Sequence, residues 1–469
     1  MSELLDEKHL ALISKHKLKR EKELICAYEN LTNYDVDTLI QYCYDAKDNE
    51  QAHLLLASLF TGRSIMALLD VSTAVDEFVA GEFGVLTSSI SHPKVPESSN
   101  SKQVERPANS SPYVFLSSSI LRSVQNARDR KFEDYKTKLK NLVSEINKKN
   151  NARLTLGRIQ RYLAKEAKDL NISQAEVGWI SNTPLKDHAG SSYLSMSSGD
   201  LARKHYTFIN RLLESAGKAP FSLEVLLTSP DAAKMMGSNR GLSNDDLKVS
   251  FVNIRESIDA SRASLPTTLW QLYNDYTHFT VSLLMVNTGH RPTRDPFGSL
   301  RNFDLNREVV WVQDKKAREE ASRLVPLNTL SELQIRYYLS FLKDFSGIVK
   351  YSHPGEAEKL KQSLSGEAPL FRLRNTRGLT FYSASTVRDH CSSPIPGSSN
   401  WHRHWIRQHL ASQSHVDVSA VDAFMAHENL LDESFSRFST LETLELRKVS
   451  NAIEQQLQKL DVNALEVTL

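Results

Sequence analysis

Apolar and polar positions divide the chain into stretches of different period. From Gln51 the sequence reads QAHLLLASLFTGRSIMALL, closely spaced apolar residues broken by a Thr-Gly turn, and residues 1–85 therefore predict a helical appendage. LTSSISHPKVPESSNSKQVERPANSSP follows, rich in Ser, Pro and Asn and poor in large apolar side chains, which predicts a linker or exposed loop over residues 86–115. Helical patterning resumes over 116–262. Within it, TLGRIQRYLAKEAKDLNISQAEVGWIS holds two helical patterns separated by DLNIS; this spacing fits a helix-turn-helix and fits one more helical pair in a bundle equally. A softer boundary falls at SPDAAKMMGSNRGLSND, residues 229–245.

Beyond it, LPTTLWQLYNDYTHFTVSLLMVNTG predicts a strongly apolar helix ending at Gly289. Val309 to Val312 and Leu324 to Leu327 read as the two strands of a hairpin. The C-terminal stretch LETLELRKVSNAIEQQLQKLDVNAL places Leu441, Leu444, Leu446, Val449, Ile453 and Leu457 at amphipathic helical spacing. Such a helix either packs on its own domain or docks on a neighbouring copy. No repeat of solenoid length is visible. The pattern predicts a mostly α, multi-domain chain whose C-terminal part is α+β with a small sheet or hairpin.

Composition narrows the class. The 469 residues suffice for two to four domains, and 40% hydrophobic with 24% charged residues is ordinary for a globular protein. No apolar run approaches the roughly 18–20 residues that span a bilayer, and the charged N-terminus lacks the apolar core of a secretory signal. Cys26, Cys43 and Cys391 form neither a disulfide framework nor a zinc pattern. A reduced, cytoplasmic protein is the expectation.

The formal net charge is +2, but its distribution is uneven. Residues 122–169 carry 14 Lys/Arg against 6 Asp/Glu, whereas residues 414–469 carry 4 against 10. A basic block in a near-neutral chain is either a solvated helical face or a DNA-contacting segment. On the second reading Arg158 and Arg161 are candidate DNA contacts.

Four boxes in the last 190 or so residues carry chemistry. In NTGHRPTRDPFGSL, Arg291 follows a helix-terminating Thr-Gly. In VVWVQDKKAREEASRLVPL, Lys315 and Lys316 lie at the start of the turn between the two strands. In NWHRHWIRQHLAS, Asn400 and Trp401 open a helix on which Arg403 and Arg407 share a face, with His404 alongside. In VDAFMAHENLLDE, His427 follows an apolar turn. Two arginines can clamp the non-bridging oxygens of a phosphodiester with planar, paired donors, which lysine cannot do in the same way.

In their order and spacing these boxes resemble the catalytic domain of the tyrosine recombinases, or phage-type integrases, over about residues 263–445. The resemblance implies site-specific DNA recombination or integration by a mobile-element protein. It implies Arg291 and Arg403 on the scissile phosphate, Lys315 (or Lys316) protonating the leaving oxygen, and His427 bonding the same phosphate. It further implies duplex DNA as partner, a tetramer on two duplexes, a helical DNA-binding domain over 116–262 closing on the duplex from the opposite face, and a tail at 446–469 available for assembly. Lys316, His404 and Arg407 become further DNA contacts. No metal or cofactor is required.

The chain departs from that pattern at three places. Asn400 stands where the family has the box's first histidine, and Arg294, with Asp295 beside it, stands where an acidic residue is usual. Phe438 occupies the place of the nucleophilic tyrosine, and no tyrosine follows Tyr382. Phe435 is the other aligned position and lacks a hydroxyl too. Ser434, Ser436, Ser439 and Thr440 would make poorer leaving groups than a phenol. Strand cleavage is therefore expected to be blocked, and a catalytically silent DNA-binding accessory protein is the alternative. A zinc reading of His402, His404, His409, His415 and His427 fares badly, because residues two apart on a helix point about 200° from one another.

Overall fold

The structure is a computed structural model, and it describes residues 30–46, 49–70, 75–79, 82–87, 113–128, 132–183, 189–238, 240–291, 295–313, 322–396, 400–410, 413, 416–427 and 443–469. These are mostly helical, with four small antiparallel sheets among them. They fall into two compact units, residues 30–87 with 113–238, and residues 240–469.

The first unit begins with α1 (Asn33–Tyr44), opened by a reciprocal cap between Thr32 and Asp35, then α2 (Glu50–Thr61) and the short α3 (Ile65–Leu69). Every residue of α2 from Ala52 to Thr61 is buried, which demands neighbours on all sides. These are α1, α4 (Ser118–Arg128), α5 (Phe132–Asn150) and α6 (Leu156–Glu166). Strands β1 (Val75–Val79), β2 (Phe83–Thr87) and β3 (Tyr113–Ser117) pair in that order, with Phe83 opposite Ser117 and Thr87 opposite Tyr113. The unit closes with α7 (Gln174–Ser181), β4 (Ser195–Ser197), α8 (Ser198–Ser215), α9 (Glu224–Leu227) and β5 (Met235–Gly237), which pairs with β4.

Four expectations change here. Residues 75–79 and 83–87 are strands, not helix, because β2 finds a partner in residues 113–117 far along the sequence. The expected linker loses its ends to those strands, and residues 88–112 lie outside the described residues. The first 85 residues are no separate appendage, since those described share one core with residues 113–238. Finally, the second helix of the helix-turn-helix pattern, α7, is buried from Ala175 to Ile180. Its Glu176 caps the Ser173 N–H at 2.6 Å and pairs with Lys204 at 2.7 Å. A base-reading helix must offer its side chains to a groove, and α7 spends its own on the core.

The second unit opens with α10 (Asn244–Ala263), so the boundary lies near residue 239 and not at 262. The Gly- and Ser-rich stretch 229–245 marked it; α10 packs on α11 (Leu269–Thr288), which is buried from Leu272 to its end. β6 (Phe303–Asp304), β7 (Val309–Gln313) and β8 (Ser322–Pro326) form the second three-stranded sheet. The expected hairpin is β7–β8, with Val312 opposite Arg323; its tip, with Lys315 and Lys316, lies outside the described residues. Then come α12 (Thr329–Val349), α13 (Pro354–Leu364), the β9 (Arg372–Asn375) and β10 (Gly378–Phe381) pair, α14 (Ala384–His390), α15 (Trp401–Leu410), α16 (Val418–Phe424) and α17 (Thr443–Lys459).

The tail packs on its own unit. Leu446, Val449, Ile453 and Leu457 are buried on α17, each contributing about 1.5–3 kcal/mol by transfer from water. The chain beyond is pinned where Tyr276 Oη donates to the Leu465 carbonyl at 2.7 Å and the Leu465 N–H donates to Gln334 Oε1 at 2.8 Å. Among the described residues no helix is long and apolar enough to cross a membrane.

Candidate functional site

The centre of the second unit's chemistry forms where two helices end. α11 stops at Gly289, in the left-handed region with φ +61° and its N–H bonded to the Met285 carbonyl. Thr288 Oγ1 turns back to the Leu284 carbonyl at 2.7 Å and accepts the His290 N–H at 3.3 Å. α16 ends against Met425 and Ala426, and Ala426 also takes the left-handed conformation, φ +50°. The His427 N–H then returns to the Asp422 carbonyl at 2.8 Å.

α15 runs beneath both ends. The Asn400 carbonyl starts it, accepting the N–H groups of Arg403 at 3.0 Å and His404 at 3.3 Å. Arg403 is fully buried. Its Nη1 donates to the Gly289 carbonyl, and its Nη2 donates to the Met425 carbonyl at 2.6 Å and to His427 Nε2 at 2.8 Å. One turn on, Arg407 is also buried and donates to Asp422 Oδ1 at 2.6 Å. His402 Nε2 meets the His290 carbonyl at 2.6 Å.

A guanidinium has no acceptor, so His427 Nε2 must accept from Arg403 and the imidazole carries its proton on Nδ1. Its charged form is strongly disfavoured. Burial is the largest cause, and Arg403, Arg407, Arg291 and Arg323 add their positive charge, holding His427 neutral well below the usual histidine range. Four arginines thus act on one imidazole, from the α11 end, from β8 and twice from α15.

The structure brings Arg291, Arg403 and His427 together, with Asn400 at the start of the helix that carries Arg403. Arg291 is half-buried. Two expected DNA contacts sit elsewhere than a surface: His404 and Arg407 are buried, because α15 is enclosed on both faces around Trp405 and Ile406. On α6 of the first unit, Arg161 is exposed, and Arg158 is half-buried with its Nη1 donating to the Arg153 carbonyl at 2.8 Å. Lys315, Lys316, Arg294, His415 and Phe438, with Phe435 and the hydroxyl residues around it, lie outside the described residues. Tyr382 lies in the core, its hydroxyl 2.9 Å from His278 Nδ1, and burial pushes its phenol well above the usual range, which disqualifies it as a nucleophile. Among the described residues no three His, Cys, Asp or Glu side chains gather as a metal would need.

Sequence reasoning missed Arg323 and Asp422. Arg323 is buried on β8, donating Nε to the Phe424 carbonyl at 2.7 Å and Nη2 to the Gly289 carbonyl at 3.5 Å. A signal existed: in the alternation of SRLVP, the arginine shares the inward register with Val325. Asp422 had none, being one carboxylate on a short apolar helix.

No family model matches the chain, and neither a curated protein nor a solved structure matches it.

Proposed function

We propose that the second unit holds a backbone phosphate of duplex DNA as a tyrosine recombinase does, and that Phe438 silences strand cleavage in this chain. The observation that supports this reading most is the convergence of Arg291, Arg403 and His427, from three separate boxes, on one electropositive centre. Attack on a phosphodiester builds negative charge on its oxygens, and preorganised guanidinium donors stabilise that charge. His427 would meet the phosphate through Nδ1, since Nε2 is taken by Arg403. Lys315 at the hairpin would protonate the leaving oxygen, and a tyrosine at 438 would supply the covalent link. On this reading four copies assemble on two duplexes.

One observation favours a second reading, an accessory DNA-binding protein that keeps the recombinase centre for architecture. Both terminal nitrogens of Arg403 are engaged with the Gly289 and Met425 carbonyls, so clamping a phosphate requires it to exchange a bond. Covalent trapping separates the two. The chain and Phe438→Tyr are incubated with supercoiled and nicked duplex DNA, then quenched in denaturant. Salt-sensitive gel shifts with both proteins and an adduct only with tyrosine are expected. Shifts without any adduct favour the accessory protein. Absence of duplex binding at low salt overturns both.

A further inference from the structure

We propose that Arg323 is a positioning residue of this centre: with Arg403 it fastens the C-terminal ends of α11 and α16 to one another and so sets His427 against Arg403. The proposal rests on the function proposed above.

α16 has seven residues, too few to hold its own shape, since helices of that length are marginal alone. The last carbonyls of a helix lack partners within it and form its negative pole. At α16 two successive carbonyls of that pole are taken by arginines from different elements, Phe424 by Arg323 and Met425 by Arg403. The same two arginines share the Gly289 carbonyl at the end of α11. Between these fastenings and His427 lies only Ala426, in a conformation that side-chain-bearing residues rarely adopt. Asp422 closes the loop, accepting the His427 N–H on its carbonyl and Arg407 on its carboxylate. Arg323 also sits opposite Val312, one pair from the turn end of the β7–β8 hairpin, so one guanidinium ties the hairpin to both helix ends. Without it, the Phe424 carbonyl loses a buried donor and the turn at Ala426 loses one of its two anchors.

Selective 15N-histidine labelling of the full chain, with His427→Gln to assign the resonance, reads the geometry directly. The parent should show an Nδ1-protonated His427 that stays neutral well below the usual histidine range. Arg323→Met should give mixed tautomers and a titration midpoint rising toward about 6.5, with Arg323→Lys intermediate. In the Phe438→Tyr background, Arg323→Met should slow adduct formation at saturating duplex by about 10- to 100-fold. The half-saturating DNA concentration should stay within about twofold, and Arg323→Lys should recover part of the rate. A folded Arg323→Met protein, checked by thermal unfolding, with the parent's histidine spectrum and adduct rate overturns the proposal; so does a lysine variant that recovers nothing. If Phe438→Tyr forms no adduct, the recombinase reading fails and the histidine spectra alone decide. If the methionine variant does not fold, the lysine variant decides: mixed tautomers support the proposal and a parent spectrum overturns it.

Discussion

Both units end their central buried helix in the same way, and only one of them builds a cationic centre there. In the first unit Thr61 Oγ1 bonds the Ala57 carbonyl at 2.6 Å and accepts the Arg63 N–H at 3.2 Å, and Gly62 caps α2 with φ +66°. This repeats Thr288 and Gly289 on α11 almost atom for atom. An arginine follows in both, and a buried histidine lies near both. Arg63 donates Nε to the Ile180 carbonyl at 2.8 Å, and His205 Nε2 meets the Phe60 carbonyl at 2.7 Å. Among the described residues, Arg63 adds its charge to His205, whereas four arginines bear on His427. A Thr-Gly cap with an arginine one or two residues further on thus ends a buried helix in each unit. What distinguishes the second unit is the number of guanidinium groups its packing aims at one imidazole.

That contrast is sharpest in the arginines themselves. Arg403→Met removes the donor to the Met425 carbonyl and to His427 Nε2 and leaves the Gly289 carbonyl to Arg323 alone, each orphaned acceptor costing about 1–3 kcal/mol. It should lower stability by about 4 kcal/mol in urea denaturation and weaken duplex binding in gel shifts. Arg63→Met, which removes the bond to Ile180, should cost about 2 kcal/mol and leave duplex binding by the folded protein unchanged. Equal losses of DNA binding from both would erase the distinction between the units.

Acid should weaken both units through neutral buried histidines. Burial holds His205 in the first unit and His278 in the second at about 4, against 6.5 when unfolded. The unfolded chain therefore binds more protons as pH falls below about 6.5, so the stability present above that pH is lost on the way down to about 4. Each histidine accounts for on the order of 3 kcal/mol of this loss. Unfolding free energies at pH 7, 6 and 5 should flatten with His205→Gln, which keeps a donor for the Phe60 carbonyl. An unchanged slope would mean that His205 titrates in the folded protein as it does in the unfolded chain.

The smallest effect compares the two glycine caps. Alanine at either position meets the left-handed penalty, about 1 kcal/mol. A Cβ on Gly62 would also lie 3.3 Å from the Gln160 carbonyl oxygen, whereas one on Gly289 would first meet Ile406 Cδ1 at 3.6 Å. Gly62→Ala should therefore lower the melting temperature more than Gly289→Ala, and the reverse order would show that the α11 end is the tighter.

Much of this was legible in the chain because it is local. The Thr-Gly that ends α11, the period-two strands of the β7–β8 hairpin and the apolar stripe of α17 each depend on residues within a few positions of one another. So does the pairing of Arg403 and Arg407 on one helical face. The order of Arg291, Arg403 and His427 in their boxes was a property of sequence too. What sequence could not decide was burial and partnership across distance. β1 and β2 read as helix because the strand that completes their sheet lies beyond residue 112, and the HTH-like pair stayed open between a DNA reader and one more helical pair because the core that swallows α7 comes from elsewhere in the chain. Arg407 and His404 looked like surface contacts since α15 shows its enclosure only once folded. Arg403 reaches a carbonyl 114 residues away, and Arg323 one 101 residues away. Helix ends and strand periods follow from backbone chemistry that each short segment carries with it. A cluster of like charges forms only where packing, stabilised by the rest of the unit, holds it together against its own repulsion, and that is a property of the tertiary structure alone.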